Sequence, residues 1–597
     1  MTDLADRLAN LSPAKRALLT RMRVPALAPI PRIADGPAPL SAEQRRLWYQ
    51  LQLAPGYPLY TIPFGFRLRG RVNVDALTGA LRELVARHEA LRTSFRESAG
   101  VPVQEVTGGA AFDPRVLDLR GDEWAEAEAN YQTDAFTRLP FDLAAGDTLH
   151  ALLILESDEE ARFFIALHHL AGDGWSAGVL MRELSALYAA RVDGVPAALP
   201  EPAVRYRDWA AWQQRPGQDP PDTDEAYWRG QLAGAPHVLE VPPDRARPPL
   251  QGWNGAKHAF VIPPDLTAGV RALARREGAT AFAVVAAAHA LLLRRYAGDD
   301  DVLFGTLLAN RPRADLEQVV GFFANTLPLR VRLDGDPTLA ELVRRAHAAA
   351  VGAQEHASLP FDRIVELAGV RRDFSRPPLV QTLLVHVDAA GAAFSLPGVV
   401  AEPLLMDSST AAFEMALVVE DHGDHLSAEL QYATDLYERA GVERFASHWA
   451  AALEAFAADP ELRASRVPLA SPDEVREVEG WSSGGPGPDG LCIHELFTMQ
   501  ARITPHAVAL VHGAEAWTYA ELNRRANRIA HALRGLGVGP ERRVAVCLPR
   551  TPELVATLLG VLKAGGAYVP LDPAYPRARV QLMLADTRVP VLLTQPA

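Results

Sequence analysis

The 597-residue chain is 48% hydrophobic and 22% charged, a composition that supports a sizeable buried core and excludes a disordered or fibrous polypeptide. Its 73 Asp and Glu against 60 Lys and Arg give a formal net charge of −13, the wrong sign for a protein whose main partner is nucleic acid. Two cysteines, Cys492 and Cys547, cannot build a disulfide scaffold or a tetrahedral zinc site and are expected as small buried hydrophobes.

Met1 to Arg23 carries Asp3, Asp6, Lys15, Arg16 and Arg21 among its leucines, so it lacks the apolar core of a secretory signal. No stretch reaches the roughly 18 apolar residues of a membrane-spanning helix. A cytoplasmic protein without membrane contact is the expectation. Leu4 to Met22 reads as a short amphipathic helix, followed by a Pro-rich connector from Pro25 to Pro39. Val74 to His88 sets Leu77, Leu81, Leu84 and Val85 on one helical face, and Leu91 to Phe95 reads as a strand. Leu149 to Leu155 and Phe163 to Leu167 form a hairpin-like pair of strands. Trp175 to Val192 returns to helical spacing, with Ser176 available as N-cap.

A Pro-dense passage from Pro196 to Gln251 is expected to be loop-rich and to cross between two lobes. Helices follow at Thr280 to Tyr296 and Pro337 to Val351, and strands at Val302 to Leu308, Gln381 to Val387 and Glu414 to Val419. The SSGGPGPDG run within Trp481 to Gly490 is the clearest linker. Beyond it, α/β alternation resumes with a helix at Tyr519 to Leu536, a strand at Arg543 to Leu548 and a helix at Pro552 to Ala564.

The strongest chemical signal is His168, His169, Leu170, Ala171, Gly172, Asp173, Gly174, an HHxxxDG pattern between an apolar strand and a helix. Adjacent residues leaving a strand point in opposite directions, so one histidine is expected to face a cavity and the other the core. A neutral imidazole suits proton transfer near neutral pH. Asp173 can steady the loop through a distant arginine, and Gly174 allows a backbone N–H to approach a substrate oxygen at a helix start. Taken alone, the residues leave open catalysis, two structural histidines, or part of a metal set. Metal is the weakest, because no HExxH or second His/Cys cluster accompanies the pair. There is no GxxxxGK[ST] loop. One base without a protein nucleophile suits direct transfer between two bound substrates, with placement as the main contribution.

His168 to Gly174 resembles the signature of condensation domains of nonribosomal peptide synthetases, relatives of the chloramphenicol-acetyltransferase-like acyltransferases. Further segments resemble that family in order: Leu40 to Trp48, Arg87 to Phe95, Tyr206 to Gln213, Gly305 to Arg311, Gly321 to Arg330, Leu359 to Val365 and Arg372 to Gln381. The similarity covers roughly residues 4–475. Trp517 to Asn523 and Leu562 to Pro576 resemble the first motifs of an amino-acid adenylation domain, and the chain closes before that family's phosphate loop.

The resemblance implies a mixed α/β fold of two chloramphenicol-acetyltransferase-like lobes in a V-shaped pseudo-dimer, followed by a partial α/β adenylation subdomain. The implied division is an N-terminal helix and connector over 1–39, lobes over 40–210 and 211–475, a linker over 476–490, and a truncated adenylation domain over 491–597. It makes His169 the catalytic histidine, His168 its packing neighbour, Asp173 the ion-pair partner of Arg311, and the Gly174 backbone a neighbour of the thioester carbonyl. Trp175, Ser176 and Asn325 are substrate-channel candidates, and no metal is implied. The implied reaction is amide formation between two carrier-bound thioesters delivered on 4′-phosphopantetheine arms. The donor comes from an upstream carrier in trans and the acceptor from a downstream carrier of the same synthetase. The condensation unit has no cofactor of its own, and ATP with Mg²⁺ belongs only to a full-length adenylation domain. A monomer of elongation type with an L-configured donor is favoured. A lipid- or acyl-initiating starter domain and a non-catalytic recruiting platform are the alternatives.

Overall fold

The computed structural model describes residues 29–595 except 54–58, 109–111, 216, 219, 389–393, 405, 407–408 and 483–489. The helix expected from Leu4 to Met22 lies outside the described residues. The chain divides into two compact units, Met1–Pro472 and Asp473–Ala597.

Besides a small three-stranded sheet of Ala38–Pro39, Val101–Val106 and Thr93–Ser98, the first unit is built on two larger sheets. The first runs in the order Val400–Leu404, Thr61–Arg69, Glu160–His168, Leu149–Leu155, Arg115–Asp118. Its pairings are antiparallel except the last. Period-two alternation assigns its faces. Phe163, Ile165 and Leu167 face a core shared with Leu77, Leu81, Leu84, Leu180, Leu184 and Leu187 of the helices Val74–Arg87 and Gly174–Asp193. Phe164 and Ala166 face the other way, toward Phe136 and Met406. The strand Val400–Leu404 comes from the second half of the sequence and pairs with Thr61–Arg69 over five residues, so the halves exchange an element.

The second sheet has six strands, in the order Asn325–Arg332, Asp301–Leu308, Thr382–Asp388, Met415–Asp421, Leu426–Ala433, Gly255–Ile262. Thr382–Asp388 is parallel to both neighbours. The helix Ala281–Ala297 is sealed in this lobe, with Ala283 to Leu293 essentially inaccessible. Small alanine side chains let it approach the helices Leu339–Glu355 and Arg439–Ala458 closely.

Three sequence expectations need correction. The passage from Pro196 to Gln251 holds two helices, Tyr206–Gln213 and Asp222–Leu232, whose Trp209 and Trp228 are buried anchors. Leu91 begins no strand: a 3₁₀ turn occupies Glu89–Arg92 and the strand is Thr93–Ser98. Neither cysteine is buried: Cys492 is exposed and Cys547 is half-buried. Cys492 instead starts the helix Ile493–Ile503, where its backbone N–H meets the Glu495 carboxylate at 2.8 Å.

The second unit pairs Arg543–Cys547 in parallel with Ala567–Pro570 and Val591–Thr594. Its helices Tyr519–Gly535 and Pro552–Ala564 pack around Leu533, Val544, Val546 and Val561. Thr518 and Glu521 form a capping box at the first of these helices.

Candidate active site

The histidine loop sits between a strand end and a helix start, and each side chain is placed by that transition. His168 is the last residue of its strand and follows the Phe164–Ala166 face inward. It is 4% exposed, its Nδ1 accepts the Leu170 N–H at 3.1 Å, and its ring meets Phe141 edge-on at 5.3 Å. Burial, with the neighbouring His169 and His150, pushes its pKa down to about 3. It is a neutral packing element.

His169 has left the strand. Its backbone N–H donates to the Tyr60 carbonyl at 2.9 Å, and its carbonyl receives the Gly172 N–H at 3.3 Å. Its ring lies edge-on to Phe322 at 5.5 Å and to Tyr60 at 6.2 Å. Nδ1 is buried without a hydrogen-bond partner. Desolvation lowers its pKa to about 4, although the Asp173 charge and the Gly172 backbone pull upward.

Asp173 does not face the cavity. It is 2% exposed and is the N-cap of Gly174–Asp193, accepting the Ser176 N–H at 2.9 Å and the Ser176 hydroxyl at 2.8 Å. Ser176, read as an N-cap from sequence, is instead the third residue of this helix. Arg311 clamps the Asp173 carboxylate with two bonds of 2.9 and 3.0 Å, and the Phe323 N–H adds another at 3.0 Å. The guanidinium stacks over the Phe323 ring at 4.3 Å. Ser176 Oγ receives the Gly321 N–H and lies 2.8 Å from the Gly321 carbonyl, which competes with Asp173 for its single proton. These contacts bind the histidine loop of one lobe to the 311–323 segment of the other.

A cavity of about 400 Å³ has His169 on its wall. Ile62 and Pro63 from the first lobe face Leu307, Leu383, Val385, Ala416 and Val418 from the second sheet. Asn325 lines it, but every group of its amide is occupied: Nδ2 donates to Ala357 and Leu359 carbonyls, and Oδ1 accepts the Phe361 N–H. Trp175 and Ser176 do not line it. Ser176 is wholly buried, while Trp175 is 46% exposed and donates its Nε1–H to the Glu317 carbonyl. Gly174 borders open space at the helix start. A larger cavity, about 520 Å³, has no residue of the histidine loop on its wall.

Sequence reasoning missed several wall residues. Glu43, on the first turn of Ala42–Leu53, is 7% exposed, and burial raises its pKa above the usual carboxylate range. Arg46, one turn on, lies 3.6 Å from Asp362 and over the Phe361 ring at 4.4 Å. Tyr60 donates to Gln50, and burial raises its phenol to about 12. Their segments were recognised, but only folding gathers Leu40 to Trp48, Leu359 to Val365 and the histidine loop around one cavity. Among the described residues, no group of three or more His, Cys, Asp or Glu could hold a metal ion. No single described helix is long and apolar enough to cross a membrane.

A paired-sheet, two-lobed α/β fold with a histidine-lined cavity defines an acyltransferase-type architecture. The condensation-domain family model matches residues 34–478 and the AMP-binding enzyme model residues 497–597. The chain belongs to the condensation-domain family, with an AMP-binding segment after it. It is 36% identical over 574 residues to the malpinin synthetase of Mortierella alpina, covering 96% of this chain and 7% of that synthetase. It is 36% identical over 613 residues to the phosphinothricin tripeptide synthetase PhsC of Streptomyces viridochromogenes, covering 100% of this chain and 56% of that protein. The chain thus spans only part of the length of each of these relatives. Among solved structures, a four-domain nonribosomal peptide synthetase bound to AMP and glycine shares the fold with a TM-score of 0.77 at 24% identity. That match covers 96% of this chain and 44% of the synthetase. The X-domain from teicoplanin biosynthesis aligns with a TM-score of 0.65 at 28% identity over 74% of this chain and 100% of that domain.

Proposed function

We propose that the first unit condenses an acyl or peptidyl thioester, held by an upstream carrier, with the α-amine of an aminoacyl thioester on a downstream carrier. The observation that carries this reading is one neutral imidazole, His169, on the wall of a cavity bordered by both lobes. The amine nitrogen attacks the thioester carbon. The C–N bond forms, the C–S bond breaks, and the proton lost by the amine ends on the departing thiolate. Because a thioester is already activated, holding the two reactants together supplies much of the acceleration.

Burial that keeps His169 neutral makes a full imidazolium costly. That supports a ring accepting a hydrogen bond from the amine, over one removing its proton outright. His168 anchors the strand end in the core against Phe141, and Asp173 with Arg311 holds the loop. Gly174 starts the next helix off the cavity wall, behind the Asp173 cap, so this arrangement lends no support to a place for it beside the thioester carbonyl.

In this reading the lobes meet near residue 210, the condensation domain spans 40–475, and the segment after the 476–490 linker belongs to amino-acid activation. The 4′-phosphopantetheine arms arrive as parts of the substrates. ATP and Mg²⁺ belong to the activating reaction, and the condensation unit needs no cofactor of its own. The protein acts as a cytoplasmic monomer of elongation type with an L-configured donor supplied in trans. The test charges donor and acceptor carriers with short aminoacyl groups and seeks the dipeptidyl thioester by mass spectrometry. Product that disappears in His169→Ala supports the reading, while carrier binding without product would make the unit a recruiting platform.

A further inference from the structure

The His169 ring has no hydrogen bond at Nδ1, so its place on the cavity wall is inherited from its backbone and from the Tyr60 and Phe322 rings beside it. The strand anchors that backbone on one side, where the His169 N–H donates to the Tyr60 carbonyl at 2.9 Å. Beyond His169 the loop bonds to itself. The Leu170 N–H meets His168 Nδ1 at 3.1 Å, the Ala171 N–H the His168 carbonyl at 2.9 Å, and the Gly172 N–H the His169 carbonyl at 3.3 Å. These bonds shape the turn without fastening it to another element. The Arg311 clamp takes hold only at Asp173.

Gln44 supplies the second anchor. Its Nε2 donates to the Leu170 carbonyl at 2.8 Å, across 126 positions of sequence. Among the described residues, this is the one hydrogen bond that reaches residues 169–172 from a side chain outside the loop. Gln44 is 1% exposed, and its amide has a single orientation. Oε1 receives the Ser41 N–H at 3.2 Å and the Gln104 Nε2–H at 3.1 Å, which leaves Nε2 for the loop. Ser41 Oγ in turn accepts the Gln44 N–H at 3.0 Å, a reciprocal cap at the start of Ala42–Leu53. Glu43, Arg46, Leu47 and Gln50 of that helix line the cavity. One amide thus ties the wall helix to the histidine loop. The Leu170 side chain also packs with Leu40, Leu47 and Phe95, but apolar contact is non-directional, whereas a hydrogen bond fixes an angle.

We infer that Gln44 is a positioning residue for the reaction: its amide holds the chain just after His169 and so sets the angle at which the imidazole meets the amine. This assignment rests on the amide-forming reading of the cavity. Methionine at this position keeps the length of the side chain but removes the donor, and it leaves the buried Leu170 carbonyl without its partner. The loop then keeps its internal bonds and the Tyr60 anchor alone, and a displaced imidazole forfeits the rate that placement supplies.

The experiment uses the full chain with donor and acceptor carriers charged with short aminoacyl groups. Single-turnover rates are compared for parent, Gln44→Met, His169→Ala and the double variant. Gln44→Met is expected to lower the rate about tenfold, with the half-saturating concentration of either carrier within about twofold of the parent. In the His169→Ala background the same change should alter the residual rate less than about twofold, because it acts through the missing ring. Gln44→Asn, one methylene too short, must repeat the pattern, so the outcome does not hang on one variant folding. Gln104→Leu is the control. It strips bonds from Gln44 Oε1 and the Pro39 carbonyl without touching the loop, and it should melt below the parent yet keep its rate within about twofold. The His169 Cε1–H NMR resonance reads the ring without turnover, and it should shift in Gln44→Met and stay in place in Gln104→Leu. An unshifted resonance in Gln44→Met overturns the assignment. So does an equal loss of rate in both backgrounds, or a loss in Gln104→Leu as large as in Gln44→Met, either of which marks Gln44 as structural. If the parent makes no product, the amide-forming reading itself falls. Parent product with an indifferent Gln44→Met removes Gln44 alone.

Discussion

Replacing Asp173 by alanine removes the anion that neutralises Arg311, whose side chain is only 3% exposed. The guanidinium keeps its bonds to the Ala309 carbonyl and Ser176 Oγ, but its charge stays buried without a carboxylate. Removing one partner of a buried pair costs about 3–5 kcal/mol, and loss of an N-cap alone about 1 kcal/mol. Taking about 5 kcal/mol in all, and an unfolding entropy of ~2.1 cal/mol/K per residue over the roughly 430 described residues of this unit, gives a fall in Tm of about 6 °C. Differential scanning calorimetry of the full chain measures it. The double variant Asp173→Ala with Arg311→Met removes the stranded charge as well, so its loss should be smaller than the sum of the two single losses. A single Asp173→Ala variant melting within about 1 °C of the parent would refute the buried-pair argument.

His169→Ala is expected to reduce condensation by about 10²-fold, the scale of a lost positioning contact, while the melting temperature holds, as single-turnover product analysis and calorimetry will report. The ring of His169 should stay neutral down to about pH 5, since its folded pKa is about 4; an NMR titration midpoint near the ordinary imidazole value would contradict its desolvation. His168 and His289, both buried and lowered to about 3, share the sign. The folded state binds fewer protons than the unfolded one, so stability rises with pH across this window. It is complete above an unfolded value of about 6.5 and is lost as pH falls toward 4 and 3; a melting temperature that is flat from pH 7 to 4 would exclude it. Gly321→Ala places a Cβ 1.8 Å from the Tyr206 ring, which bonds to Ser41 and the Phe322 carbonyl and cannot swing aside. A loss of about 2 kcal/mol or more is expected by calorimetry or urea titration, in the upper range of overpacking.

Much of this architecture was legible in the residues. The 3.6-residue rhythm of Leu77, Leu81 and Leu84 marks a helix observed at Val74–Arg87, and the apolar run Phe163 to Leu167 marks the strand that carries the histidines. Local chemistry hid other strands. Pro63 and Gly65 interrupt Thr61–Arg69, and Pro328 interrupts Asn325–Arg332. Proline reads as a strand breaker until its neighbours are known. Val400–Leu404 includes Glu402 and Pro403 and joins a sheet more than 300 residues earlier in sequence, a pairing that no local pattern announces. At the site, alternating strand geometry said that His168 and His169 point in different directions, and the family resemblance chose His169 as the one on the cavity. Glu43, Arg46, Tyr60 and Asp362 gave no signal of their own, because the cavity they share exists only once distant segments meet.

The donated strand Val400–Leu404 sets a rule for recombining such synthetases. Cutting between the lobes and grafting a foreign second half would leave Thr61–Arg69 with a bare edge, open to the wrong chain and to aggregation. A viable hybrid must carry residues 400–404 with the first half or import a strand that matches the register from Arg69 to Gly65. Inheritance of this unit should thus follow the whole of it, with crossovers tolerated outside the two sheets and selected against between them.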